Sequence, residues 1–180
     1  NYTPDGNYGN LPYNEVNSIL HTKDGLMWIG MLGGGICKVQ SPQVKYEVDR
    51  LDYIKKKYKT NSVRSICQVG KNELWMGIMG RGLVKYNQQS QTGVNYVDVP
   101  ELNHLPYPST VNSIIKRRNK NEICFGTWCA GVFFYDEDKH KVTMLNQLVN
   151  EKLGDNCVYV LLEDSDNNLW IGTRNGLYIF

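Results

Sequence analysis

Residues Leu26-Met27-Trp28-Ile29-Gly30-Met31-Leu32-Gly33-Gly34-Gly35-Ile36 decide the reading, because the stretch comes back three times. The second copy is Leu74-Trp75-Met76-Gly77-Ile78-Met79-Gly80-Arg81-Gly82-Leu83. A worn third reads Ile123-Cys124-Phe125-Gly126-Thr127-Trp128-Cys129-Ala130-Gly131-Val132, and the last is Leu169-Trp170-Ile171-Gly172-Thr173-Arg174-Asn175-Gly176-Leu177. Their first glycines, Gly30, Gly77, Gly126 and Gly172, step by 47, 49 and 46 residues. An independent marker lies upstream of each: Val16-Asn17-Ser18-Ile19, Val63-Arg64-Ser65-Ile66, Val111-Asn112-Ser113-Ile114 and Val158-Tyr159-Val160-Leu161. Its valines step by 47, 48 and 47. Two markers holding one period define a repeat array.

Each unit reads as an antiparallel meander. Val16 to Leu20 leads into Asp24-Gly25, a favoured hairpin turn because both positions tolerate positive φ. Leu26 to Leu32, a glycine turn, Ile36 to Val39 and, beyond Ser41-Pro42, Val44 to Val48 complete the first unit. The outer strand of the second is expected at Asn95 to Val99, and the fourth stops at Phe180 without one. The strands are apolar on both faces, as in Met27-Trp28-Ile29 and Phe133-Phe134-Tyr135, so each small sheet must be sandwiched between others. Units of roughly 40–50 residues with a Gly/Trp signature predict an all-β chain: a β-propeller fragment of about four blades, each a four-stranded meander, the last incomplete. A stacked β-solenoid is the competing architecture. The expected divisions are 1–13 (tail of a preceding blade), 14–60, 61–108, 109–155 and a partial blade at 156–180. Trp28, Trp75 and Trp170 would fill the wedge between blades. Gly30, Gly77, Gly126 and Gly172 would mark close approach of a neighbouring chain, which puts Gly172→Val among the most damaging changes.

A chain of 180 residues with 41% hydrophobic residues can bury one sizeable core, and its net charge of +2 gives no electrostatic footprint for nucleic acid or anionic membrane. No apolar run spans a bilayer and no signal-peptide pattern opens the chain. It begins in mid-pattern and ends on an apolar strand, which reads as a piece of a longer protein whose targeting and membrane segments would lie elsewhere. Cys37, Cys67, Cys124, Cys129 and Cys157 form no CxxC pair, and their odd number argues against a disulfide framework. Cys37, Cys67 and Cys124 occupy strand positions that are apolar in sister repeats, so buried free thiols are expected. A bridge between neighbours stays open, without a location.

The succession Val-Asn-Ser-Ile, polar turn, Leu-Trp-Ile-Gly-Thr, Gly-Gly-Leu closely resembles the two-component regulator propeller repeat, most cleanly at Asn168 to Leu177. Leu11-Pro12-Tyr13-Asn14-Glu15-Val16 and His104-Leu105-Pro106-Tyr107-Pro108 resemble that family's inter-blade linker. The third copy departs from the pattern at Cys124 and at Trp128-Cys129-Ala130. The resemblance implies a periplasmic, extracytoplasmic sensor segment of a hybrid two-component histidine kinase in an inner membrane, with many of its relatives detecting polysaccharide breakdown products. Further blades and the kinase modules would then lie outside this chain, which would itself be no enzyme. It would meet the membrane only through segments elsewhere.

The residues offer little chemistry of their own. His21, His104 and His140 share no ligand spacing, and neither a metal nor a cofactor is expected. Asp164-Ser165-Asp166-Asn167-Asn168 opens like a calcium loop, but Leu169 and Asn175 stand where its glycine and glutamate belong, so it reads as a turn. Lys55-Lys56-Lys57 with Lys59, flanked by Tyr53 and Tyr58, and Arg117-Arg118 read as solvated basic segments. In a meander, the turn between second and third strands and the linker into the first lie at one end of every blade. That end would collect Met79, Arg81, Trp128, Arg174 and Asn175 with Asn14, Asn61, Ser109 and Asn156, the candidate ligand-binding set. Trp128 is the most suggestive, because Leu32, Met79 and Arg174 replace it elsewhere; simple packing is the alternative. The expected function is non-enzymatic sensing of an oligosaccharide. A structural propeller mediating sensor dimerisation is the runner-up, and a lyase, which needs converging His and Glu, stands behind both.

Overall fold

The structure is a computed structural model, and it describes residues 11, 13, 15–40, 45–49, 52, 55, 56, 59–95, 110–145 and 155–180. Asn14, Tyr53, Lys57, Tyr58, His104 and Ser109, with most of the expected linkers and the segments 1–10 and 96–109, lie outside these. Fifteen strands are described, in four antiparallel sheets, each a simple meander. The first blade holds β1 (Val16–His21), β2 (Met27–Met31), β3 (Gly35–Gln40) and β4 (Lys45–Asp49). The second holds β5 (Val63–Gln68), β6 (Glu73–Ile78), β7 (Gly82–Asn87) and β8 (Thr92–Asn95). The third holds β9 (Val111–Lys116), β10 (Glu122–Thr127), β11 (Gly131–Asp136) and β12 (Lys141–Met144). The fourth has three described strands, β13 (Val158–Glu163), β14 (Leu169–Thr173) and β15 (Gly176–Ile179).

Two local expectations need correction. β8 begins at Thr92, short of the expected Asn95 start, because the turn before it is tight. The Asn87 side-chain oxygen accepts from the amides of Gln89 and Ser90 at 3.0 and 2.9 Å, so the chain reverses within four residues. The lysine-rich segment carries helical backbone at Asp52, Lys55 and Lys56. The Lys59 amide closes that turn on the Lys55 carbonyl at 2.8 Å, with Lys59 itself left-handed (φ 60).

Successive sheets pack face to face, and period-two alternation decides which residues meet. At the first seam Trp28 and Ile36 of one blade lie against Val63, Ile66, Leu74, Met76 and Ile78 of the next. The second seam joins Trp75 and Leu83 to Val111, Ile114, Ile123 and Phe125, and the third joins Cys124, Val132 and Phe134 to Val158, Leu161, Leu169 and Ile171. The same motif residues change state at the end of the array: Ile66 is 8% exposed, whereas Ile19, with no described sheet before it, is 64% exposed. Likewise Leu83 is fully buried, and Leu177 of the last blade is 62% exposed.

The repeated glycine sets how close the sheets come. A Cβ on Gly30 would lie 2.8 Å from Val63 Cγ1, and on Gly126 2.4 Å from Val158 Cγ1. On Gly77 it would lie 2.1 Å from the Val111 carbonyl oxygen, a backbone atom that cannot swing aside. Gly172 differs: its Cβ would meet Val160 Cγ1 of its own sheet at 2.7 Å and nothing from another blade. At 2.7 Å that contact is still shorter than a Cβ tolerates, so Val160 would have to shift. Inner-strand side chains also stitch the seams. Asn17 Nδ2 donates to the Val63 carbonyl at 3.1 Å, Asn112 Nδ2 to that of Val158 at 2.8 Å, and Ser65 Oγ to that of Val111 at 3.2 Å.

At one end of every blade the turn between second and third strands is tied to the linker. The amides of Leu32, Met79, Trp128 and Arg174 donate to the carbonyls of Glu15, Ser62, Thr110 and Cys157. A further bond crosses each seam there: the Gly33 amide reaches Ser62 Oγ, and the Gly80 amide reaches Thr110 Oγ1, both at 2.9 Å. At the third seam the matching residues are Cys129 and Cys157, and they form a disulfide. Cys129 keeps the left-handed backbone of its glycine counterparts (φ 66, against 77 and 70). A covalent bond thus replaces a hydroxyl–amide bond. The bridge that the sequence left open without a location thus lies between Cys129 and Cys157, although a disulfide was not the expected reading. Cys37, Cys67 and Cys124 are free and buried, and burial raises the Cys37 and Cys67 thiols to about 12 and about 11.

Two outcomes test these seams. Gly77→Ala should destabilise at the upper end of the roughly 1–3 kcal/mol that overpacking costs, and Gly172→Ala clearly less, by urea unfolding. Closing the loop between Cys129 and Cys157 should contribute about 3–4 kcal/mol in the chain-entropy picture. The Cys129→Ala/Cys157→Ala variant should lose most of that, while Cys129→Gly/Cys157→Ser, the pairing of the first seam, should recover about 1 kcal/mol through its hydrogen bond.

Candidate functional site

The inner strand of each blade is interrupted at the same place. The register slips between Val16 and Ser18, between Val63 and Ser65, opposite Gly126 and Thr127, and between Val158 and Val160. The second residue of each Val-x-x-Ile/Leu motif is therefore a bulge, left out of the ladder and free to aim its side chain elsewhere. Those four residues, Asn17, Arg64, Asn112 and Tyr159, converge on one recess of about 410 Å³, completed by Met79, Thr110 and Trp128 from the turn-and-linker end. Among the described residues no Asp or Glu lines it.

One wall is aromatic. Trp128 and Tyr159 are 47% and 45% exposed, and their rings meet edge to face with centroids 5.5 Å apart. The disulfide fixes the turn that carries Trp128 against the residue that opens the Tyr159 strand. The rest of the lining is the Met79 thioether with two amides, a hydroxyl and the Arg64 guanidinium. Arg64 Nη2 donates to Met79 Sδ at 3.3 Å, and its buried Nε has no partner. Such a set can stack a flat apolar face and hydrogen-bond a polar rim. It has no nucleophile–base pair.

Of the residues singled out in the sequence, Met79 and Trp128 line this recess. The other five hold the turns and linkers around it. The Asn61 carbonyl accepts from the Gly35 amide at 3.1 Å, and that of Asn156 from the Gly131 amide at 2.9 Å, both across a seam. The Arg81 carbonyl accepts from Asn95 Nδ2 at 3.1 Å; Arg174 pairs with Asp155 at 2.9 Å; the Asn175 amide donates to Thr173 Oγ1 at 3.3 Å. Asn17, Arg64, Thr110, Asn112 and Tyr159 were missed. The available signal was the variation Asn, Arg, Asn, Tyr at one motif position between near-constant neighbours.

A larger hollow of about 710 Å³ lies at the opposite end, lined by Lys23, Lys71, Lys116, Arg117 and Arg118 with Asp24. Much of its charge is already neutralised. Arg117 is buried against Glu163, whose other oxygen accepts from the Arg118 amide at 2.8 Å, and Lys116 pairs with Glu137. The expectation of a solvated Arg117-Arg118 pair is corrected for Arg117, which clasps the third seam. His21 ends β1, and His140 bonds Tyr135 Oη at 3.1 Å in the turn after β11, so the two belong to different blades. Among the described residues no cluster of His, Cys, Asp and Glu could hold a metal ion.

The calcium-like segment is a turn. Asp164 accepts from the amides of Asp166 and Asn168 and from Asn168 Nδ2 and Trp170 Nε1. The Trp170 and Asn168 side-chain donors favour its charged form and lower its pKa to about 2. Because the folded value lies below the unfolded one, this stabilisation is complete above about pH 4 and is lost as pH falls toward 2. Asp164→Asn should flatten the dependence of Tm on pH across that window, as calorimetry would measure.

The two-component regulator propeller model matches residues 10–33 and 152–175, which span the inner strand, the Trp/Gly strand and their connection at the two ends of the array. Those two segments are similar to the two-component regulator propeller repeat. Histidine kinase P4 of Formosa agariphila is 29% identical over 94% of the chain, and the chain spans only 12% of that relative. Two extracellular domains of B. thetaiotaomicron assigned to hybrid two component systems superpose with TM-scores of 0.74 and 0.72, at 18% and 21% identity. They cover 96% and 94% of this chain, and it covers 21% and 22% of theirs. The WD40 propeller of Doa1 superposes at 0.66 with 10% identity, covering 91% of this chain and 49% of that one. At these identities the structural likeness establishes the propeller fold.

Proposed function

We propose that these regulator propeller repeats form part of the extracytoplasmic sensor of a hybrid two-component histidine kinase and that the Trp128–Tyr159 recess receives an oligosaccharide. The observation that carries this reading is a half-exposed aromatic pair facing two amides and a hydroxyl, which matches the apolar face and hydroxyl rim of a sugar ring. The Cys129–Cys157 disulfide supports an oxidising, periplasmic location. Kinase chemistry belongs to other modules of the polypeptide, and the segment itself is no enzyme.

The exposed faces at the two ends of the array favour further packing. Val160, Leu162, Leu177 and Ile179 at one end correspond to faces that the inner seams bury, so a further blade of the same polypeptide is the proposed occupant. A second sensor copy is the alternative. The sugar reading is tested by titration calorimetry of the full-length protein against a glycan panel. Trp128→Ala and Tyr159→Ala should each weaken the responding glycan about 10-fold or more with Tm changed by a few degrees at most. Binding that survives both substitutions would remove the recess as the site.

A further inference from the structure

We propose that Arg64 makes this recess selective for an acidic sugar unit, whose carboxylate or sulfate pairs with the guanidinium while its ring lies against Trp128 and Tyr159. The inference rests on the sugar reading and adds the charge of the ligand.

Arg64 stands where the first and third blades have asparagine. Asn17 and Asn112 direct Nδ2 to the valine carbonyl of the following blade. In the second blade Ser65 Oγ takes that carbonyl, so residue 64 is relieved of the seam. What replaces the amide is a permanent cation with five N–H donors. Its contacts leave it unsatisfied: a thioether sulfur is a weak acceptor, and the buried Nε meets none. Among the described residues no carboxylate lines the recess to balance the charge. Arg64 is half-buried with its Nε shielded from solvent, and an anionic occupant would supply the acceptor that this N–H lacks. A planar guanidinium matches the paired oxygens of a carboxylate or sulfate, a geometry that lysine does not reproduce. With Nδ2 of Asn17 and Asn112 held by the seams and Thr110 Oγ1 accepting from the Gly80 amide, the two amide oxygens and the Thr110 hydroxyl hydrogen are what can meet ring hydroxyls. In the opposite hollow, richer in cations, Arg117 is ion-paired with Glu163 and Lys116 with Glu137, and the Arg118 guanidinium meets the carbonyls of Asp164 and Glu163 at 3.4 Å.

The experiment titrates the full-length protein, its Arg64→Gln variant and its Arg64→Lys variant with trigalacturonate, a sulfated carrageenan oligosaccharide and neutral galactotriose. In the wild type one of the acidic probes should bind at least 10-fold more tightly than galactotriose, and which one distinguishes carboxylate from sulfate. Arg64→Gln should cost that probe roughly 10- to 100-fold, as expected for charged hydrogen bonds, and cost galactotriose clearly less. Arg64→Lys should restore only part of the affinity. Galactotriose binding as well as the acidic probes, or equal losses for all probes in Arg64→Gln, would overturn the proposal while leaving a sugar site. Binding of none of the three would overturn the sugar reading as well.

Discussion

The fold depends on how near one sheet can come to the next at a single point. Gly30, Gly77 and Gly126 sit where the next blade's first valine, in side chain or backbone, already occupies the place of a Cβ. With that contact made, Trp28, Trp75 and Cys124 fall opposite the apolar residues of the neighbouring sheet, and the inner strands lie close enough for Asn17, Ser65 and Asn112 to reach valine carbonyls. Packing, stitching and turn-to-linker ties are therefore consequences of one steric fit repeated down the array.

Much of this was legible in the sequence because it is periodic. Two markers with one period locate the strands, and apolar residues on both faces of Met27-Trp28-Ile29 say that the sheets stack. Alignment of the repeats also picked out Cys37, Cys67 and Cys124 as buried thiols. What escaped was whatever breaks the period. Cys129 and Cys157 replace partners that form a hydrogen bond in the earlier seams, a relation visible only once Gly33 and Ser62 are seen to touch. Arg117 looked like surface charge because nothing in the local sequence announces Glu163 in the next blade. The recess was half legible. Topology pointed to the end where the recess lies and brought out Met79 and Trp128 of its lining, but the bulge that turns Arg64 and Tyr159 toward them is a matter of register, which hydrophobic pattern does not encode.

The three seams are not equally secured. The first two rely on apolar packing with hydrogen bonds at the turn end, whereas the third adds a covalent bridge there and the buried Arg117–Glu163 pair at the other end. It is also the seam whose tryptophan has become Cys124, a smaller side chain filling the same wedge. Where the aromatic filling is reduced, other bonds hold the blades, and the recess beside that seam gains a rigid wall.

The bulge has an implication for how such arrays diversify. Because the unpaired residue lies outside the ladder, and a neighbouring hydroxyl can assume its bonding duty, one position per blade can be rewritten without disturbing the scaffold. Read around the axis, asparagine, arginine, asparagine and tyrosine behave as a short interchangeable alphabet, and exchanging its letters offers evolution a route to new ligands that leaves the architecture untouched.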